Sequence, residues 1–558
     1  MIKRFFALLL LLASVGTAHA LSPNSVSTAH ATPPGTGGTL RLVTISASGT
    51  FDPQVNYTLR YAELFQMLYD GLVSFAKTGG PQSVTIVPDL ATKVPVPTDH
   101  GLTYKFTLRT GIKFSNGQPV TTQAVLHSFR RIFKVNSPNA GTWYDVIVGG
   151  RRCLAHPHSC KLPGLTVNPA TNSITFHLRH PDAEFLDQLA LAFAAILPAN
   201  TPDRDMGTTP IPGTGAYRVK SYDPSTGLTM VRNPYFKQWS ALAQPTGFPN
   251  IITYRFGLSA ESQVTAIENN QYDWMFEDVP ADRLNEIATK YTRQVHIDPT
   301  NWTVYVPMNV NIPPFNNKYA RLAVEYAMNR ESTVKLAGGN RLAIPTCVTL
   351  PPKMPGYSAY CPFTKHPGTT WTAPNWPLAR ALMKKSGMIG QKVTVITSLQ
   401  APYRQIGVYT QDVLNRLGFR ATVKAISPNI DFSYIQNTNN HVQISITDWA
   451  QDYPAPSDFL NVLYSCNSFH PGSDSSINIS GFCDPAIDAE MSKAELISLK
   501  HPNQANQLWG HIDHQITRRA VSVNLFSFER LDFVSARLKH FRFSGEYFFL
   551  PQLAQVKP

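Results

Sequence analysis

Two cysteines and two histidines lie within eight residues of one another, at Cys153, His156, His158 and Cys160. Thiolate and imidazole groups are ligands that zinc and copper accept. The alternative is a surface loop that a disulfide closes, with both histidines in water. We favour the loop, because the amino terminus predicts export to an oxidising compartment, where such thiols pair.

All six cysteines fall into three close pairs along the chain. Six cysteines allow 15 connectivities, and the sequence alone does not choose between them. Short loops are the simplest closure, so we predict three local disulfides: Cys153 with Cys160, Cys347 with Cys361, and Cys466 with Cys483.

A further chemical feature lies at residues 444–454, where an apolar, strand-like Ile444-Ser-Ile446 precedes Asp448, Trp449 and Asp452. Ligands of open α/β sheets bind outside the carboxyl ends of the strands. The segment therefore predicts a binding site at the end of this strand.

Motifs of the common enzyme classes are absent from the sequence: it has no G-x-S-x-G elbow, H-E-x-x-H helix, Walker loop or G-x-G-x-x-G fingerprint. We therefore predict that the protein is not an enzyme and uses no cofactor. Catalytic carboxylates can be distant in sequence, so a secreted hydrolase stays as the alternative of a different class.

The amino terminus has the pattern of a secretory signal. Lys3 and Arg4 precede an apolar stretch at 5–15, and Ala18-His-Ala20 is a small-x-small cleavage site. We predict a signal peptide at 1–20 and a flexible leader at 21–35. The residue directly after the cleavage site is not a cysteine, so we expect a periplasmic or secreted protein without a lipid anchor at an N-terminal cysteine.

Length and charge limit the remaining classes. Single cores stop growing near ~250–300 residues, so a chain of 558 residues needs two or more lobes. The formal net charge is +13, but the basic residues never form a run longer than two or three and no nucleic-acid-binding motif accompanies them. We expect a basic soluble surface and no nucleic-acid partner.

The elements that position these residues follow from periodicity. Alternation predicts strands, a 3.6-residue repeat predicts helices, and turn residues separate them. The predicted strands are at 37–43, 102–108, 215–222, 228–232, 393–397, 421–426 and 442–446, and the predicted helices are at 61–68, 121–133 and 403–417. The alternation of strands and helices after residue 391 indicates an α/β lobe.

Taken in order, several motifs resemble the extracellular solute-binding proteins of family 5, which include oligopeptide-, dipeptide- and nickel-binding components of ABC importers. The most specific is Asn116-Gly-Gln-Pro-Val-Thr121, and others are Gly37-Gly-Thr-Leu40, Leu68-Tyr-Asp-Gly-Leu72, Pro88-Asp-Leu-Ala91, Gly213-Thr-Gly-Ala-Tyr217 and Asn270-Gln-Tyr-Asp273. The resemblance covers nearly the whole mature chain. Asn329 departs from it, since the family commonly has Asp there.

The resemblance implies an α/β fold of the type II periplasmic-binding kind, with three lobes and a ligand cleft between lobes I and III. Lobe I would comprise 36–74, 196–299 and 516–558, lobe II 75–195, and lobe III 300–515. The implied function is delivery of a small solute, foremost a peptide, to the membrane permease of an ABC importer by a monomeric protein. A nickel chelate, an oligosaccharide or another small solute is the alternative within this class.

The resemblance also implies site residues. In peptide-binding members, the aspartate of a Trp-x-x-Asp strand holds the ammonium group of the peptide, which here is Asp452. Trp449 and Ala450 would lie beside the peptide backbone, although Trp449 could instead be core. Spacing from Asp52-Pro53 places Asn56, Tyr57 and Thr58 in the stretch of lobe I that faces the ligand. The alternative for Asp452 is a turn that only ends a strand.

Overall fold

A computed structural model describes residues 37–47, 49–428, 430–473 and 476–556. The predicted signal peptide and leader lie outside the described residues. No helix of the described ranges is both long and apolar enough to cross a membrane.

The elements as far as residue 290 follow the chain in this order: β1 (Thr39–Val43), α1 (Leu59–Leu68), β2 (Val73–Phe75), β3 (Ile86–Pro88), β4 (Thr103–Thr107), α2 (Thr122–Lys134), α3 (Gly150–Ala155), β5 (Leu165–Asn168), β6 (Ser173–His177), α4 (Phe185–Ala190), β7 (Tyr217–Asp223), β8 (Gly227–Arg232), β9 (Ile251–Arg255), α5 (Ala260–Glu268), β10 (Trp274–Met275) and α6 (Leu284–Lys290).

The remaining elements are β11 (Val295–Pro307), α7 (Lys318–Ala327), α8 (Arg330–Leu336), β12 (Ala343–Pro345), α9 (Trp376–Ser386), β13 (Lys392–Ser398), α10 (Tyr403–Leu417), β14 (Arg420–Ile426), α11 (Asp431–Gln436), β15 (Ile444–Ser445), β16 (Thr447–Ala450), α12 (Ser457–Tyr464), α13 (Pro485–Ser498), α14 (Pro502–Arg518), β17 (Ser522–Phe533), β18 (Leu538–Lys539), β19 (Phe543–Ser544), β20 (Phe548–Phe549) and β21 (Gln555–Val556).

The first sheet has the strand order β10-β1-β9-β8-β7. Leu40 and Leu42 of β1 are buried while Thr39 and Arg41, which alternate with them, are half-buried, as the alternating sequence predicts. β7 and β8 form the predicted antiparallel hairpin. This sheet packs into a core with α1 and with residues near the carboxyl terminus.

A second sheet, of order β14-β13-β15, is parallel throughout. β13, α10 and β14 form the strand-helix-strand unit that the sequence predicts, and Gly418 ends the helix in the left-handed conformation with φ of 105°. The carboxyl ends of β13 and β14 lie side by side, since Ser398 pairs with Ile426. α7, α9 and α10 share the core of this region.

Two long strands, β11 and β17, connect separate cores. Val295 of β11 packs with residues of β1 and β10, whereas Val304 and Val306 of the same strand pack with residues of β13 and α10. The antiparallel register between β11 and β17 is interrupted from Pro299 to Thr303. Such an irregularity bends a strand locally, and it lies between the part of β11 that packs with β1 and β10 and the part that packs with β13 and α10.

A third large core gathers β4, β5, β6, α2 and α4, and reaches as far as Tyr453. The three predicted disulfides are present, and each one closes a loop within a single region of the chain: Cys153–Cys160, Cys347–Cys361 and Cys466–Cys483.

Candidate functional site

β16 is an edge strand. The four-stranded sheet has the order β12-β17-β11-β16, so β11 covers one side of β16, and no strand of the described residues pairs with the other side. The pairing with β11 is antiparallel, with Trp449 opposite Thr303, and the Gln451 amide donates to the Asn301 carbonyl at 3.0 Å. Backbone groups alternate along a strand, so those of Asp448 and Ala450 are directed to the open edge.

Asp452 follows this edge strand and meets Tyr57, which is distant in sequence. The Tyr57 hydroxyl donates to Asp452 Oδ1 at 2.5 Å. The Tyr57 side chain is 48% exposed, yet desolvation and then the charge of Asp452 raise the pKa of its hydroxyl. Tyr57 is thus half open to water, while its hydroxyl group is desolvated against Asp452.

A second carboxyl group, Asp458, lies against Asp452. The Asp452 amide donates to Asp458 Oδ2 at 2.8 Å, and Asp458 is only 1% exposed. Desolvation raises the pKa of Asp452 to about 7, although hydrogen bonds with Tyr57 and Asp458 lower it. Desolvation and then the charge of Asp452 raise the pKa of Asp458. The pair therefore stabilises a positive charge placed beside it.

Gln451 joins three parts of the chain at this point. Its side-chain oxygen accepts from Asn301 Nδ2 at 2.7 Å, within the interrupted stretch of β11. Its amide nitrogen donates to the Gly545 carbonyl and to Glu546 Oε2, both at 3.0 Å. The position of Asp452 is thereby tied to the connecting strands and to the carboxyl-terminal segment.

Trp449 and Ala450 have different environments. The Trp449 side chain is 8% exposed and belongs to the core around α12, α13 and α14. Ala450 is half-buried, with its backbone directed to the open edge of β16. At this position the sheet edge, rather than the indole, is accessible to a ligand.

An exposed apolar surface lies beside β16, at the carboxyl ends of β13 and β14. Leu399 is 50% exposed, Ile430 is 55% exposed and Phe432 is 36% exposed. The Phe432 ring lies 6.4 Å from the Trp449 ring, centroid to centroid. This placement agrees with the general position of ligands in open α/β sheets.

Asn56 and Thr58 form a local turn before α1. Asn56 Oδ1 accepts from the Thr58 amide at 2.8 Å and from its hydroxyl at 2.6 Å, while Asn56 Nδ2 donates to the Thr50 carbonyl at 2.6 Å. Asn56 is 8% exposed. These contacts hold the backbone in the conformation that presents Tyr57 between them.

The loop of Cys153 and Cys160 is closed by its disulfide, with His156 and His158 exposed. No group of three or more His, Cys, Asp or Glu side chains in the described ranges could hold a metal ion. The disulfide and the exposed imidazoles are the geometry of a disulfide-closed surface loop.

Sequence reasoning missed several carboxyl groups around Asp452. Glu546 is linked to Gln451, and the charges of Asp187 and Asp452 help desolvation to raise its pKa. Desolvation raises the pKa of Asp187 to about 7. These residues come from segments distant in the chain, so no local pattern marks them.

Comparison with known families agrees with this geometry. A model of the bacterial extracellular solute-binding proteins, family 5, matches residues 85–471. A probable di/tripeptide-binding protein 5 of Pseudomonas aeruginosa is 25% identical over 543 residues, which cover 90% of this chain and 96% of that relative.

Solved structures show the same fold. A clavulanic acid biosynthesis oligopeptide binding protein 2 superposes with a TM-score of 0.84 at 22% identity, covering 94% of this chain and 96% of the other. An ABC transporter-associated periplasmic binding protein of Helicobacter pylori, in complex with the peptide STSA, gives a TM-score of 0.73 at 19% identity, covering 94% and 99%. The fold is therefore that of the type II periplasmic binding proteins.

Proposed function

Because the chain belongs to the bacterial extracellular solute-binding proteins of family 5, we propose that it captures short peptides and delivers them to the permease of an ABC importer. The peptide lies along the open edge of β16, with its amino-terminal ammonium group at Asp452. The three large cores correspond to the three lobes, and the interrupted stretch of β11 is the hinge.

The open edge of β16, directly before Asp452, is the observation that carries this proposal. An extended peptide adds to such an edge through main-chain hydrogen bonds, which do not depend on side-chain identity. The backbone groups of Asp448 and Ala450 are directed there, as the alternation along β16 requires.

Asp452 fixes the register of the peptide. A desolvated carboxylate forms strong charge-assisted hydrogen bonds with an ammonium group. Asp458 adds negative charge at the same place, and the Tyr57 hydroxyl covers one Asp452 oxygen from across the cleft. The peptide side chains contact the apolar surface of Leu399, Ile430 and Phe432.

Native mass spectrometry of the mature protein, followed by mild denaturation, tests this function. We expect a set of copurified peptides that is lost in Asp452→Ala and retained in Asp412→Ala, a control on α10 whose side chain is 60% exposed. A single sugar, metal chelate or other non-peptide compound released from the wild type would refute peptide capture.

A further inference from the structure

A second group of carboxyl side chains lies near Asp452, between the segment that precedes α4 and the helices α12 and α13. Asp182 and Glu184 come from the first, and Glu495 comes from α13. A methyl group on Gly101 would lie 3.2 Å from Pro181 Cβ and 3.1 Å from Leu499 Cδ1, so these two segments are adjacent. Glu495 of α13 is one turn before Leu499, the residue that caps this helix, so the two lie on the same side of it.

Two amide oxygens beside these carboxyls lack a hydrogen-bond donor among the described residues. The Asn461 amide nitrogen donates to Glu495 Oε1, and Asn461 Oδ1 then has no partner among the described residues. Gln188 is 5% exposed and hydrogen-bonds to Asp182, whose pKa is raised by desolvation although this bond opposes the rise. Gln188 Oε1 is likewise buried without a hydrogen-bond partner in the described ranges. A buried oxygen left in this state is costly unless a ligand or water donates to it.

Little positive charge lies at the same place, where His180 acts on Asp182. Among the described residues, no lysine or arginine forms an ion pair with Asp182, Glu184 or Glu495, although the chain carries a net charge of +13. Desolvation and then the charge of Asp182 raise the pKa of Glu495 to about 7. The same two causes raise the pKa of Glu184.

The donor-rich partner that fits is an organic cation. No cluster in the described ranges has the spacing that holds a metal ion. An ammonium group carries three donors and a guanidinium group carries five, and both accept carboxylates and amide oxygens as partners. Such a group has enough donors for carboxylates and for amide oxygens that lack a donor.

This group lies next to the proposed peptide site. Ser457 and Asp458 are consecutive residues at the start of α12. Asp458 accepts from the Asp452 amide, whereas Ser457 is close enough to Glu184 to lower the pKa of that carboxyl. Two neighbouring residues at the start of α12 therefore contact the two groups of carboxyls, one residue for each group.

We propose that Asp182, Glu184 and Glu495, with the amide oxygens of Gln188 and Asn461, form a subsite for the basic side chain of a bound peptide. The inference rests on the proposed function, because it adds a positively charged side chain to the peptide whose ammonium group lies at Asp452. The substrate class is thus short peptides that contain lysine or arginine.

Calorimetric titration of the mature protein with matched tripeptides tests the subsite. The probes are Ala-Ala-Ala and the three tripeptides with one lysine at position 1, 2 or 3, each compared with its glutamine counterpart. We expect at least one lysine peptide to bind about tenfold more tightly than its glutamine counterpart, a difference of about 1.4 kcal/mol. In Glu495→Gln this preference falls while Ala-Ala-Ala binds as before, and Asp412→Asn keeps the wild-type preference.

Different results would overturn the subsite and the proposed function. Equal binding of lysine and glutamine peptides by the wild type would overturn the subsite and leave peptide capture standing. Failure of every peptide to bind would overturn peptide capture itself. Because the wild-type comparison needs no variant, the test does not depend on the folding of Glu495→Gln.

Discussion

The Tyr57 hydroxyl donates a 2.5 Å hydrogen bond to Asp452 Oδ1, although 395 residues separate the two in sequence. Tyr57 also packs its ring 5.3 Å from that of Phe193, while Asp452 comes two residues after the end of the edge strand β16. The bond therefore joins two sides of the cleft at the carboxylate that we assign to the peptide ammonium.

Tyr57→Phe should raise the pKa of Asp452. Desolvation raises this pKa to about 7, and the hydrogen bond from Tyr57 partly offsets the rise. Without that bond, desolvation should raise the pKa of Asp452 further. Titration of the Asp452 carboxyl by carbon-13 NMR measures the shift. Tyr61→Phe is the matched control, because the Tyr61 hydroxyl pairs with that of Tyr222 at 2.7 Å. A lower pKa of Asp452 in Tyr57→Phe would contradict the assigned contact.

Asp452→Asn should weaken the binding of a free tripeptide at least about 30-fold, because loss of one partner of a desolvated charge pair costs about 2–5 kcal/mol. The binding weakens because the peptide ammonium group loses its contact with the Asp452 carboxylate. Acetylation of the peptide amino terminus removes the same contact from the other side. The acetylated peptide should therefore bind wild type and variant with similar affinity, as calorimetry can measure. A large further loss for the acetylated peptide in Asp452→Asn would argue against the ammonium contact.

Much of the fold follows from local sequence. The hairpin of β7 and β8 and the unit of β13, α10 and β14 are predicted correctly, because the spacing of apolar residues and the turn residues that indicate them lie within a short stretch of sequence. β11 and β17 were not identified, since their long antiparallel pairing joins residues more than 200 positions apart. Their role as connections between cores depends on that pairing.

Only some features of the candidate site leave a signal in the sequence. The strand end at Asp452 is visible from the sequence, since an apolar strand precedes it. The hydrogen bonds of Asn56 show that its side chain holds a turn, which the spacing from Asp52 does not reveal. No local sequence pattern marks Glu495 and Glu546, because their contacts are with residues that are distant in sequence, such as Asp182 and Gln451.

The ligand-free protein should lose stability as pH rises from about 4 to about 7. The pKa values of Asp187, Asp452 and Glu495 are each raised to about 7 in the fold, while those of unfolded carboxyls stay near 4. A raised carboxyl pKa gives a contribution that is fully present below the unfolded pKa and is lost as pH rises through the folded value. Thermal unfolding followed by circular dichroism across this range measures the trend.

Glu495→Gln should flatten this pH dependence. The charged or titratable groups that face Glu495 are Asp182 and Glu184, with His180 beside Asp182, and the Asn461 amide donates to it. Neutralising Glu495 removes one group that must lose its proton near pH 7, so the variant should unfold at a higher temperature than wild type at pH 8. Asp412→Asn should follow the wild-type curve, and an identical curve for Glu495→Gln would refute the prediction.

Ala450→Pro should weaken peptide binding by about 2- to 12-fold without unfolding the protein. Proline removes the backbone N–H of Ala450, which alternation directs to the open edge of β16 and away from β11, and proline is tolerated on such an edge. One net hydrogen bond to the peptide, about 0.5–1.5 kcal/mol, is then lost. Ala450→Ser keeps the N–H and should bind as wild type in calorimetry. Unchanged affinity in Ala450→Pro, with an unchanged melting temperature, would mean that the peptide does not add to β16.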